Sequence, residues 1–334
     1  MSPHALVTGG LGFLGRHLVR ELRRRGRAVR VLDDLSNAGA GAAEALRSEG
    51  VDVRVGSVLR SDDVARAVSG ADAVYHLAAV VGVARVAADP LGTFARNALG
   101  AERVVEACES QGARLLLVSS SEVYGEAPRG RAFAEDDAPA FDARAASRDG
   151  RAAYALSKWA SERLARAASR RGLPVVIARP FNAVGAGQSE ASGAVVPSFL
   201  AAALAGRPIR VHGDGSSTRA YASADEVARA FADLLDAPRA YGLAVNVGGA
   251  DVRTVLQLAD AVRRAAGSTS PIEVGAPAPR VSPIRHRAPD LTRLRQLLGW
   301  TPSASIDACI ARAVASTAEA GSPRAGSRRS AAVA

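Results

Sequence analysis

Cysteine is almost absent. Cys108 and Cys309 are the two in 334 residues, far apart and without neighbours at metal-ligand spacing, which excludes a disulfide framework and leaves no metal expected. Aromatic residues are scarce as well, at 4%, so a hydrophobic content of 48% is mostly Ala, Val and Leu. That composition suits helices packed on a parallel sheet better than a β-sandwich. No apolar run reaches the length that spans a bilayer, and the first residues lead into an apolar strand without a basic segment or a small-residue cleavage site. The expectation is a cytoplasmic protein with no membrane association. The formal net charge is +10, but the arginines are scattered along helical stretches such as Arg20, Arg23, Arg24 and Arg25. No aromatics interleave with them as a stacking surface would need, so nucleic acid is not an expected partner. A basic surface still helps to attract an anionic substrate.

What the chain does contain is a rhythm. Short apolar runs at 5–8, 29–32, 51–55, 73–77, 115–118 and 175–178 are separated by enough residues for a crossover helix, which predicts an α/β fold with a doubly wound parallel sheet and right-handed connections. After Arg179 the rhythm loosens into Gly- and Ser-rich sequence over 183–193, then a helix over 197–205 and a strand over 209–212. Residues 1–182 are read as a dinucleotide-binding domain. Residues 183–321 are read mainly as a smaller C-terminal substrate domain, some segments of which return to the first. The Pro- and Gly-rich stretch 275–289 reads as a long loop crossing a cleft, and 322–334, rich in Ser, Arg and Ala, as a disordered tail. No internal repeats occur.

Between the first strand and the first helix stands Thr8-Gly9-Gly10-Leu11-Gly12-Phe13-Leu14-Gly15. Gly9, Gly12 and Gly15 let the backbone approach a pyrophosphate, while the helix starting near Gly12 aims its unpaired N–H groups, those of Phe13 and Leu14 among them, at the anion. This strand–turn–helix context is the Rossmann-type signature. The second strand ends at Asp33, whose carboxylate can accept from an adenosine ribose and would repel the extra phosphate of NADP, so the expected cofactor is NAD.

Tyr154 and Lys158 stand four residues apart, on one face of a helix. A phenol with an ordinary pKa of ~10 is a poor base at neutral pH, and an ammonium beside it, together with an oxidised nicotinamide, is expected to lower it. Tyr154 would then take the proton of an alcohol undergoing oxidation. The run ending at Val118 continues into Ser119-Ser120-Ser121-Glu122-Val123-Tyr124-Gly125, where a hydroxyl of Ser120 or Ser121 can polarise the reacting oxygen and Glu122 is a candidate acid or base.

With His76-Leu77-Ala78-Ala79, Asn97, Arg179-Pro180-Phe181-Asn182, Gly213-Asp214-Gly215, Thr218-Arg219-Ala220-Tyr221 and Leu298-Gly299-Trp300-Thr301-Pro302, nearly the whole chain resembles the extended short-chain dehydrogenase/reductase family of nucleotide-sugar enzymes. That family includes 4-epimerases, 4,6-dehydratases and UDP-glucuronate decarboxylases. The resemblance implies that Leu77, Ala78 and Ala79 line the nicotinamide side of the cofactor and that Asn97 belongs to the cofactor site. It also implies that Asn182, Arg219 and Arg287 hold the substrate pyrophosphate and nucleoside, and that the protein is a homodimer.

Dehydratases of the family carry Asp-Glu before Val-Tyr-Gly, where this chain has Ser121-Glu122, and simple 4-epimerases lack a carboxylate at the Glu122 position. Decarboxylases have Thr-Ser-Glu-Val-Tyr-Gly and an Arg three residues before the catalytic Tyr. Ser120, Ser121, Glu122 and Arg151 are similar to that pattern, with Ser120 in place of Thr. An Arg found in some bacterial decarboxylases is replaced by Thr292, and Gly56-Ser57-Val58 stands for the usual Gly-Asp. The expected function is UDP-glucuronate decarboxylation giving UDP-xylose or its 4-keto form, with Glu122 and Arg151 orienting the carboxylated sugar. UDP-sugar 4-epimerisation, 4,6-dehydration and an NAD(H)-binding regulatory role without turnover are the alternatives.

Overall fold

The computed structural model describes residues 4–38, 41–125, 131–140, 149–190, 193–276 and 285–321. Its strands are β1 (His4–Thr8), β2 (Val29–Asp33), β3 (Asp52–Val55), β4 (Ala71–His76), β5 (Arg114–Val118), β6 (Val175–Pro180), β7 (Asn182–Val184), β8 (Ile209–His212), β9 (Thr218–Ser223), β10 (Ala244–Val247), β11 (Asp251–Thr254), β12 (Ile272–Ala276) and β13 (His286–Arg287). Its α-helices are α1 (Phe13–Arg24), α2 (Ala42–Ser48), α3 (Ser61–Val68), α4 (Val83–Ala88), α5 (Pro90–Gln111), α6 (Gly150–Arg170), α7 (Val195–Leu204), α8 (Ala224–Leu235), α9 (Val255–Ala265), α10 (Thr292–Leu298) and α11 (Ile306–Gly321).

Seven strands make one parallel sheet in the order β10-β6-β5-β4-β1-β2-β3. The central strands β5 and β6 are nearly continuous apolar runs because helices cover both faces, whereas the edge strand β3 alternates apolar and charged residues. Leu18, Val31, Leu116, Val176 and Phe231 pack on one face, and Leu6, Val74, Val104, Leu115 and Ile177 on the other. The strand order reverses at β1, the switch point at whose carboxyl end doubly wound sheets bind their ligands.

Helix boundaries follow local chemistry. Asp89 caps α5, accepting from Gly92 N at 2.9 Å ahead of Pro90, and Gly112 ends the helix at φ +67°. Asp149 caps α6 by accepting from Arg151 N at 2.9 Å, and Thr254 and Gln257 form a reciprocal capping box on α9.

Beyond β6 the chain builds a smaller layer. β9 is flanked by β11, antiparallel, and by β7 and β13, both parallel, while β8 pairs with β12. Phe199, Leu200, Leu258, Val262 and Ile310 form the core beneath it. Two segments return to the large sheet: β10 extends its edge beside β6, and α8 packs against α1. His17 of α1 reinforces that return, its Nδ1 lying 2.5 Å from Asp225 Oδ1 and its Nε2 3.0 Å from the Ala186 carbonyl.

The stretch read as a single loop over 275–289 is corrected in part. Its start belongs to β12, and His286–Arg287 is a strand, because the β9 edge satisfies its backbone. Residues 277–284 and 322–334, the latter expected to be a disordered tail, lie outside the described residues. No helix among the described residues is long and apolar enough to cross a membrane.

Candidate active site

The glycine turn is built by close approach. Gly9, at φ +69°, lies so near the loop after β4 that a Cβ there would sit 2.7 Å from Ala78 N, and a Cβ on Gly15 would sit 2.2 Å from Gly9 O. Larger residues cannot make this turn. Gly12 takes the N-cap position of α1 with no side-chain cap, so the helix keeps unpaired N–H groups at an opening that fits a pyrophosphate. Asp33 is buried at the end of β2. Its Oδ2 accepts from Leu11 N at 3.0 Å and its Oδ1 from Leu35 N at 2.9 Å, which ties the turn to the loop after β2 and still leaves lone pairs for a ribose hydroxyl. Burial raises its carboxyl pKa, against the two backbone bonds.

His76 and Thr8 fix the opposite wall. Burial, then Lys158, push His76 down to about 3, so the ring is neutral and its Nδ1 can accept from the Thr8 hydroxyl 2.8 Å away. That hydroxyl oxygen in turn accepts from Ala78 N at 3.3 Å, holding Leu77, Ala78 and Ala79 against the turn. Asn97 is spent within the protein: it accepts from Val80 N at 2.7 Å and donates to Ser157 Oγ at 3.1 Å. It acts here as a brace between the loop after β4 and α6.

Tyr154 and Lys158 lie on α6 beside the end of β5. The Lys158 Nζ donates to Val118 O at 2.9 Å and lies 5.9 Å from the Tyr154 ring centroid. Burial lowers the ammonium pKa to about 8, with Glu162 opposing. The expected lowering of the Tyr154 phenol is corrected for the protein alone. Burial raises it, a hydrogen bond with Ser120 opposes, and the Glu122 charge adds to the rise, while the ammonium faces a backbone carbonyl. Ser120 Oγ also accepts from Glu122 N at 3.1 Å, capping the short 3-10 turn Ser121–Tyr124, in which Ser121 is buried.

Glu122 sits between two arginines. Arg287 Nη1 pairs with its Oε1, and Arg151 Nε lies 3.5 Å from its Oε2. Burial alone would raise this carboxyl, but Arg287 and then Arg151 outweigh it and hold the group below the usual carboxylate range. Arg287 also donates to Gly125 O at 3.0 Å. The partner of Arg287 is therefore the protein's own carboxylate, a pairing that the sequence does not reveal. Across the parallel β9–β13 pair, Arg287 stands in direct register with Arg219, whose guanidinium is lowered to about 10 by burial and then by Arg287 and Arg151. Like charges facing each other across strands destabilise a sheet unless an anion joins them. Arg219 and Arg287, side by side next to Glu122, suit a diphosphate on a ligand. Asn182 is at the same end, its Nδ2 donating to Ala220 O at 3.1 Å.

Beneath the site runs a buried network absent from the sequence reading. Arg179 is bidentate to Glu162, with Nε to Oε1 at 2.8 Å and Nη2 to Oε2 at 2.7 Å. It also donates to Tyr124 Oη and to Glu135 O, each at 2.9 Å. Ser119 Oγ donates to Glu162 Oε1 at 2.6 Å, and Tyr124 Oη to Asn246 Oδ1 at 2.6 Å. The signals available were a charge inside the apolar run of β6 and a carboxylate four residues beyond Lys158.

Residues 5–248 match the family described as NAD dependent epimerase/dehydratase family. The chain is 30% identical over 311 residues to the UDP-N-acetyl-alpha-D-glucosaminuronate decarboxylase of Bacillus cytotoxicus, covering 91% of this chain and 94% of that relative. It is also 30% identical to UDP-glucuronic acid decarboxylase 1 of Danio rerio, covering 89% and 68%. Among solved structures, the UDP-glucose 4-epimerase of Thermus thermophilus in complex with NAD is similar, at 29% identity and a TM-score of 0.82, over 95% of this chain and 99% of that one.

Proposed function

The chain belongs to the NAD-dependent epimerase/dehydratase family, and from that premise we propose that it oxidises C4 of a UDP-linked hexuronic acid and releases the C5 carboxyl group as carbon dioxide. UDP-glucuronate is the first substrate to try. The observation that carries this reading is Glu122 held between Arg151 and Arg287, with Arg219 in register beside them.

NAD, when bound, supplies the oxidant for the sugar alcohol and afterwards the reductant for the ketone. In this reading Tyr154 takes the O4 proton, supported by Ser120 hydrogen-bonded to its phenol and by Lys158 one helical turn away. A 4-keto uronic acid is a β-keto acid. As its C5–carboxyl bond breaks, the electron pair passes to O4, where the Tyr154 phenol and a serine hydroxyl stabilise the enolate, and the enolate then takes a proton from water at C5 to give the 4-ketopentose. No strong acid is needed. A dehydratase would need an acid for the leaving hydroxyl, and Ser121 stands where that acid would be, beside Glu122, which the two arginines keep ionised. The role of Glu122 in this reading is to set the two guanidiniums that orient the carboxylated ring.

The test is incubation with NAD and UDP-glucuronate, followed by the mass of the nucleotide-sugar product. Because of the Bacillus relative, UDP-N-acetylglucosaminuronate is run in parallel. A product lighter by one carbon dioxide is expected from one of the two. Unchanged mass with altered retention would replace this reading by 4-epimerisation. Inertness toward these and toward UDP-glucose and UDP-N-acetylglucosamine would favour NAD(H) binding without turnover.

A further inference from the structure

The sheet order places β1 between β2 and β4, so the loops following β2 and β4 flank the glycine turn that follows β1. One side chain joins them. Arg85, on α4 after β4, donates through Nη2 to the Ser36 carbonyl at 2.8 Å and through Nη1 to Asn37 Oδ1. All three residues are exposed, and nothing in the fold core requires the bridge.

Both ends are shaped for it. Among the described residues, Leu35 is the one non-glycine with positive φ, at +64°, a conformation disfavoured for a residue with a Cβ. It is held there by Asp33 Oδ1 on its N–H, by Ser36 N donating to Asp34 Oδ1 at 3.0 Å and by Ala38 N donating to Leu35 O at 3.2 Å. The bend turns the Ser36 carbonyl and the Asn37 amide toward α4. That helix is preceded by Gly82 at its N-cap, whose φ of +101° turns the chain into α4.

We propose that Arg85 is a strap across the dinucleotide groove: its two bonds to Ser36 and Asn37 close over the adenosine half, and NAD enters and leaves by breaking them. The inference rests on NAD binding alone and not on the sugar chemistry proposed above. Asp33 fixes one lip, the Arg85 guanidinium spans the opening, and the forked donor geometry lets one side chain hold a carbonyl and an amide together.

The experiment loads the full-length protein with NADH, chases it with excess NAD and follows the decay of NADH fluorescence. Arg85→Ala removes both bonds, together equivalent to about tenfold, and should speed release by about that factor. Asn37→Ala removes one and should speed it about threefold. The double variant should be no faster than Arg85→Ala, because both changes open one closure. Arg85→Lys, which lacks the fork, should fall between wild type and Arg85→Ala. Release within twofold of wild type in both single variants overturns the proposal. So does a lower melting temperature of the NAD-free variants with unaltered release, which would make the bridge a structural brace. If Arg85→Ala does not fold, Asn37→Ala, at an exposed loop position, decides alone. Altered release in a protein inert toward uronates would keep the strap and remove the functional reading.

Discussion

Replacing Arg179 with Met separates a buried charge from its partner. The Glu162 carboxylate is fully buried and the Arg179 side chain 5% exposed, so removal of the guanidinium leaves Glu162, among the described residues, with the Ser119 hydroxyl as its remaining hydrogen-bond donor. It also removes the donors to Tyr124 Oη and Glu135 O. Breaking a buried pair from one side costs about 3–5 kcal/mol. At about 2.1 cal/mol/K per residue, unfolding this chain near its midpoint carries an entropy of about 0.7 kcal/mol/K, so the melting temperature should fall by about 4–7 °C. A second variant sharpens the argument. Glu162→Leu combined with Arg179→Met removes both charges, and it should recover most of the loss, because the penalty lies in the unpaired carboxylate and not in the missing attraction. Calorimetric melts of the NAD-free protein read both. A fall of under about 1 °C in Arg179→Met, or a double variant melting below it, would refute the assignment of this pair as the charge centre of the core.

Three further outcomes follow from the site. Gly15→Ala, whose Cβ would lie 2.2 Å from Gly9 O, must open the turn and should weaken NADH binding at least about tenfold by fluorescence titration, roughly 1.4 kcal/mol; unchanged affinity would remove the turn as the cofactor cradle. Tyr154→Phe should lose about 10²–10⁴ in turnover with NADH affinity nearly intact, and retained turnover would end its role as proton acceptor. Lys158, lowered to about 8 from an ordinary 10.5, should lose its ammonium above about pH 8, and turnover that depends on that charge should fall there. In the same window the unfolded chain holds the proton that the folded one has released, so this residue's contribution to stability rises with pH from about 8 to 10.5. A Lys158→Met variant that keeps both slopes would show that another group titrates.

The large sheet was readable because strands covered on both faces are apolar over most of their length, as β1, β5 and β6 are. β10 was not read. Its four residues include Asn246, a poor strand former, and its place beside β6 depends on contacts made by residues far away in sequence. Asn246 N donates to Glu135 Oε1 at 2.8 Å, and its side chain donates to Phe133 O and accepts from Tyr124 Oη. β13 escaped for a similar reason: two residues in a Pro- and Gly-rich stretch carry no period, and the β9 edge alone makes them a strand.

The same distinction divides the site. Tyr154 with Lys158, and the glycine turn with the first helix, are local arrangements, so spacing along one element was enough to bring them together. The pairing of Arg287 with Glu122 joins residues far apart in sequence, and no period records it. In so Arg-rich a chain, residue type could not say which guanidinium meets the protein's carboxylate and which is left for a ligand. Geometry changes the inference drawn from the same residues. Glu122, a candidate acid or base by type, is pinned in its ionised form by Arg287 and Arg151. Chemistry that needs a proton from it is therefore disfavoured, while chemistry that needs only a fixed negative charge among arginines is favoured. Removing that charge with Glu122→Gln would leave the Arg287–Arg219 register without its internal counter-ion. An anionic nucleotide should then bind more tightly as turnover falls, a divergence that a residue acting only through packing would not produce.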